Sequence, residues 1–132
     1  MNHSLHVAVA VIQIQDRILI AKRPQHLHKG GYWEFPGGKV ENGEPVQTAL
    51  VRECQEELAI TPLRFTPLKT IRHDYPEKSV LLDVWRVNDY LGVPKGLEGQ
   101  PLFWCPLDKL TEYQFPEANL SILELLSHSR AV

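Results

Sequence analysis

The sequence predicts an α/β fold: a mixed β-sheet with one helix inserted mid-chain and a second at the end. Three observations lead there. β-branched, strand-like runs open the chain and return after residue 63. Residues 45–58 carry helical spacing between two prolines, and residues 117–128 repeat such spacing near the end of the chain. With 132 residues, 43% of them hydrophobic and 23% charged, the chain is expected to be one globular domain over 1–132.

In chain order, residues 7–14 read as a strand. Gln15, Asp16 and Arg17 form a tight turn into a second strand, 18–23. Residues 24–31 are a loop, broken by Pro24 and closed by Gly30 and Gly31, in which His26 and His28 are solvated. A short strand at 32–35 runs into Pro36-Gly37-Gly38, read as a turn. Helix 45–58 follows, with Pro45 suited to its first turn and Pro62 lying beyond its end. Strands 65–73 and 79–87 flank a hairpin turn at Pro76-Glu77. A Gly/Pro loop over 91–101 leads to strand 102–105 and a short turn at 106–110. The closing helix places Leu120, Leu123 and Leu126 among its apolar residues. Trp33, Trp85 and Trp104 are read as strand residues that pack the core.

Several classes of function are excluded. Sixteen acids against fourteen Lys and Arg give a net charge of −2, which argues against binding to a nucleic acid polymer. No apolar run approaches the roughly 20 residues of a membrane span. Residues 1–15 lack the basic start of a signal peptide. Cys54 and Cys105 lack the spacing of a zinc site or a disulfide framework, so a reducing, cytoplasmic setting is expected, with the chain a monomer.

The informative helix is 45–58. Glu53, Glu56 and Glu57 fall at i, i+3 and i+4 and share a face. Leu50, Val51, Cys54 and Leu58 are expected about 100° round, against the sheet, with the small Val46 and Ala49 beside the acids. Like charges at these spacings cost about 0.2–0.5 kcal/mol per pair. Negative charge near a helix C-terminus costs a further 0.3–1 kcal/mol or so per residue. Arg52 offsets one charge and not three. A divalent cation would offset the rest, and a backbone carbonyl at Gly37-Gly38 could supply another oxygen.

The residues Gly38, Glu44, Arg52, Glu53, Glu56, Glu57 and Ile60 match the box of the Nudix family, which the chain resembles. Cys54 stands where the box has an aliphatic residue, which a small buried thiol tolerates. Ala59 stands where the box has glycine, and an αL alanine there would cost about 1–2 kcal/mol. The likeness covers almost the whole chain through Arg23, residues 34–39, residues 98–101, Phe115, Pro116, Ala118 and Asn119. It is greatest to the members that hydrolyse oxidised guanine nucleotides such as 8-oxo-dGTP.

The resemblance implies the Nudix fold, an α/β/α sandwich around a mixed sheet. It implies Mg2+, with Mn2+ as the alternative ion, and attack of water on a nucleoside triphosphate to give a monophosphate and pyrophosphate, which cleanses the nucleotide pool. The implied metal ligands are Glu53, Glu56, Glu57, Glu98 and the Gly37 carbonyl. Glu53 is the favoured general base and Glu98 its rival. Arg52 orients a glutamate, Glu44 is an orienting acid near the helix start, and Lys39 lies near the phosphates. Arg23, Glu34, Phe35, Lys78 and Asn119 are the implied substrate contacts.

The Asn119 amide offers an acceptor to the N7–H of 8-oxoguanine and a donor to O6, whereas ordinary guanine presents an acceptor at N7. The box is shared by family members acting on other triphosphates or on dinucleotides, so those remain the alternative. A domain that binds without turnover would be expected to have lost acids that this chain keeps.

Overall fold

A computed structural model describes residues 3–27 and 30–130, so His28 lies outside the described residues. Seven strands form a mixed sheet. Strand β1 (His3–Ile14) is its axis. It runs parallel to β6 (Lys78–Leu91), from His3 opposite Lys78 to Ile12 opposite Val87. β6 in turn pairs antiparallel with β5 (Thr61–Asp74), closing the expected hairpin through the Tyr75 N–H and the Lys78 carbonyl.

On its other edge β1 splits its partners. Its far end pairs with β2 (Arg17–Lys22), and its middle pairs with β4 (Gly37–Lys39). β2 carries both β3 (Trp33–Glu34) and β7 (Leu102–Pro106). β4 corrects the reading of Pro36-Gly37-Gly38 as a turn. Its glycines carry no strand propensity, and what makes them a strand is the ladder offered by Val7, Ala8 and Val9.

β1 alternates, so each face of the sheet receives its own core. Ala8, Ala10 and Ile12 face α1 (Val46–Leu58) and bury Leu50, Cys54 and Leu58. Val9 and Val11 face α2 (Leu120–Arg130) and bury Ile122, Leu123 and Leu126. The result is the sandwich of helix, sheet and helix. Two 3₁₀ turns, Leu107–Glu112 and Glu117–Asn119, lead into α2, so the expected closing helix starts at Leu120 and not at Glu117. Leu120 itself is exposed. Trp85 is buried in the core, while Trp33 and Trp104 are half-buried at its margins. Helix α1 ends at Ala59 in the left-handed conformation (φ 60°, ψ 29°), as replacement of the box glycine implied. No helix among the described residues is long and apolar enough to cross a membrane.

Candidate active site

The site grows out of the contact between α1 and β4. Residues on a helix advance by about 100°. The arc that buries Ala49, Leu50, Cys54 and Leu58 therefore also contains Glu53 and Glu57. Acids and core residues do not occupy separate faces, which corrects the sequence reading. Ala49 is fully buried, Val51 is only half-buried, and the Glu53 side chain is 14% exposed against 60% for Glu56.

The physical reason is the glycine pair opposite. A Cβ on Gly38 would stand 2.2 Å from Glu53 Oε1, and one on Gly37 would stand 2.0 Å from the Ala8 carbonyl oxygen. Gly37 thus lets β4 reach β1, and Gly38 leaves room for a carboxylate.

Arg52 organises the outer half. Its Nε and Nη2 donate to both oxygens of Glu44 at 3.0 Å, its Nη1 donates to Glu53 at 2.6 Å, and its Nη2 also donates to the Lys39 carbonyl. Glu56 lies 3.6 Å away. The Arg52 hydrogen bonds hold the Glu44 carboxyl below its usual range, helped by the Glu41 N–H. The sequence reading has Arg52 orient a glutamate and Glu44 as an acid near the helix start; the structure brings these two residues together. Lys39 joins them through its carbonyl, and its side chain is exposed.

Glu57 is different. Its Oε2 accepts the Gly37 N–H at 3.2 Å. Burial pushes its carboxyl up to about 8; that hydrogen bond opposes the rise, and the charges of Glu53, Glu98 and Glu34 add to it. Cys54 beside it is buried, and its thiol is pushed up to about 12, so it is an inert core group.

Glu98 comes from far along the chain. The loop over 92–101 is fastened to the last turn of α1: the Lys95 N–H donates to the Leu58 carbonyl and the Leu97 N–H to the Glu57 carbonyl. The Gln100 amide also donates to the Glu57 carbonyl and accepts from the Glu98 N–H. These bonds satisfy carbonyls that a helix end leaves open and bring Glu98 to the acids.

Among the described residues, no three His, Cys, Asp or Glu side chains already converge as a closed metal site. Glu53 is turned to Arg52 and Glu57 to the Gly37 amide. The donor set nevertheless fits a hard divalent ion. It is all oxygen, it gathers negative charge around a half-buried carboxylate, and magnesium needs only one or two protein carboxylates beside substrate phosphates.

The second part of the site is a cavity of about 210 Å³ lined by Arg23, Glu34, Tyr75, Pro116, Glu117, Ala118 and Asn119. Arg23 Nη1 donates to Glu34 Oε1 at 2.8 Å. Glu34 lines this cavity and stands three residues before Gly37, whose N–H holds Glu57. A larger cavity of about 470 Å³, lined by Leu5, Tyr75, Pro76, Glu77, Lys78 and Val80, shares the Tyr75 wall.

Three of the expected substrate residues thus meet in one cavity, and Lys78 lies in its neighbour. The Phe35 ring does not line either cavity. It is buried and stacked on Phe115 at 5.2 Å, which leaves its backbone as the part able to meet a base. Tyr75, Leu5 and Val80 carry no sequence signal of a site. Leu5 and Val80 meet only because β1 and β6 are parallel neighbours, a pairing across the chain that no local signal reports.

This fold and this array of acids define a class, and comparison with known proteins identifies it. Residues 7–125 match the NUDIX domain model, and the chain belongs to the Nudix family. It is 38% identical over 123 residues to the 8-oxo-dGTP diphosphatase of Escherichia coli, covering 92% of this chain and 95% of that one. It is 34% identical over 127 residues to the CTP pyrophosphohydrolase of the same organism, covering 96% and 94%. A solved structure from a study of MutT from Aliivibrio salmonicida and Vibrio cholerae superposes with a TM-score of 0.81 at 38% identity, covering 93% of this chain and 96% of that one.

Proposed function

We propose that this protein hydrolyses 8-oxo-dGTP and related oxidised guanine nucleoside triphosphates to the monophosphate and pyrophosphate, using Mg2+ or Mn2+, and so keeps oxidised guanine out of newly made DNA. The observation that carries this reading is that Arg23, Glu34 and Asn119 line one cavity and that Glu34 stands three residues before Gly37, whose N–H holds Glu57 among the acids of α1. The relatives named above, an 8-oxo-dGTP diphosphatase and a CTP pyrophosphohydrolase, support it.

Glu53, Glu56, Glu57, Glu98 and the Gly37 carbonyl would hold the metal. When bound, a divalent ion neutralises phosphate oxygens and lowers the pKa of water. Glu53, held by Arg52 and given room by Gly38, takes a proton from the attacking water, and Glu98 is the other acid within reach of that role. Glu44 keeps Arg52 in place. Lys39 and Lys78 contribute positive charge towards the phosphates and the rest of the nucleotide. At the cavity, Asn119 accepts from N7–H and donates to O6 of 8-oxoguanine, and the Phe35 backbone contributes beside Arg23 and Glu34.

A panel of nucleotides scored for pyrophosphate, with and without magnesium, tests this. The expected result is metal-dependent release with 8-oxo-dGTP favoured over dGTP by about 10⁴-fold in kcat/KM, as for sites that read a hydrogen bond. In Asn119→Ala that preference falls by about 10²-fold or more. Equal kcat/KM for the two nucleotides in the unsubstituted protein would sink the recognition claim. The second reading is hydrolysis of another nucleoside triphosphate. The 34% identity to a CTP pyrophosphohydrolase favours it specifically, and preference for CTP in the same panel would establish it.

A further inference from the structure

The loop over 92–101 is tied to α1 more firmly than helix capping requires. The Glu57 carbonyl already receives the Leu97 N–H at 3.0 Å, which satisfies it. The Gln100 side chain adds a second donor to the same oxygen, also at 3.0 Å, and its own Oε1 takes the Glu98 N–H at 2.9 Å. A carboxamide carries its donor and its acceptor on separate atoms, so one side chain makes both bonds.

Glu98 needs such a tie. It is exposed, and its turn is closed by the Gly99 N–H on the Gly96 carbonyl at 2.9 Å, a backbone bond that shapes the turn but leaves the Glu98 N–H itself to Gln100. The loop also closes tightly onto Gln100, whose carbonyl oxygen would lie 2.1 Å from a Cβ on Gly96.

We propose that Gln100 is a positioning residue for hydrolysis: its amide bridges the Glu57 carbonyl and the Glu98 N–H and so fixes Glu98 against the acids of α1. This rests on the reading above that Glu98 takes part in the reaction. Gln100 acts through Glu98.

Gln100→Met removes both bonds at similar side-chain length. Two readouts decide the matter. Amide hydrogen exchange on the protein alone, without metal or nucleotide, is expected to quicken at Glu98 by about tenfold. Steady-state kinetics are expected to show kcat lowered about 10- to 100-fold with KM changed less than about threefold, the size of loss that a displaced catalytic group causes. In the Glu98→Gln background the same Gln100→Met change should cost less than about threefold, because the group it positions is already gone.

Unchanged exchange at Glu98, or an equal kcat loss with and without Glu98, would overturn the proposal. Should Gln100→Met fail to fold, Gln100→Glu keeps the oxygen that receives the Glu98 N–H, gives up the donor to Glu57, and carries the kinetic test. Failure of the unsubstituted protein to cleave 8-oxo-dGTP would sink the functional reading and leave the exchange result to decide the tie.

Discussion

Helices α1 and α2 cover opposite faces of one sheet, yet they are made on different terms. α2 buries Ile122, Leu123 and Leu126 against Val9, Val11 and the 3₁₀ turns, and its polar residues Ser121 and Glu124 are exposed. α1 buries Ala49, Leu50, Cys54 and Leu58 as well, but it also turns two glutamates inward, carries no basic residue in its last turn, and stops at an alanine in the left-handed region. Each departure in α1 costs stability, and the inward glutamates are the ones the surroundings accommodate: glycines make room for them, Arg52 is hydrogen-bonded to Glu53, and the 92–101 loop brings a further acid. Local rules fail where chemistry is done and hold where a helix only covers a core.

That contrast can be attacked directly. Glu53→Gln is expected to lower kcat by about 10²–10⁴-fold, the usual worth of a general base, with cooperative unfolding retained. Pyrophosphate release with circular dichroism on the same sample checks both halves, and near-normal turnover would remove Glu53 from the base role. Leu126→Ala should do the reverse. It opens a cavity in a fully packed cluster and should cost about 2–5 kcal/mol in denaturant unfolding, while the kcat of the remaining folded protein stays within about threefold.

A third test uses acidity. The ordinary value for Glu57 is 4.5, and the folded protein holds its carboxyl at about 8. The native state therefore keeps a proton that the unfolded chain releases. This contribution to stability is whole below 4.5 and is lost as the pH rises through about 8. Metal-free protein should lose Tm as the pH rises from about 4.5 to about 8 and level off above that, Glu57→Gln should flatten that slope, and magnesium should raise Tm more at the upper end than at the lower. A magnesium response independent of pH would separate Glu57 from the ion. The smallest effect belongs to Ala59→Gly, which relieves a left-handed alanine and should raise stability by about 1 kcal/mol in thermal unfolding, without altering kcat.

The sequence carried much of this arrangement. The long strands, the hairpin, helix α1 and the charged positions of its box are local patterns, and local patterns can be read. Arg52 with Glu44 was legible for the same reason, as were Arg23, Glu34 and Asn119 through family likeness, and the structure brings those three to one cavity. What could not be read depends on partners remote in the chain. β4 is a strand only because β1 lies beside it. Glu53 and Glu57 face inward only because Gly37 and Gly38 are opposite, and a helical wheel drawn without β4 assigns the acids their own face. Phe35 is an implied substrate contact through family likeness, but its ring is buried on Phe115, a partner 80 residues away, which no local pattern reports. Nothing near residue 98 announces that its loop is bound to the end of α1.

The parallel pairing of β1 with β6 also bears on how the molecule is made. His3 waits for Lys78, and Ile12 for Val87, so the middle of the sheet cannot close until a ribosome has passed residue 87. Through that interval the nascent β1 exposes an apolar edge whose native neighbour does not yet exist. Attrition during synthesis should therefore track substitutions along this seam more closely than those in the short β2–β3 ladder, whose strands emerge almost together.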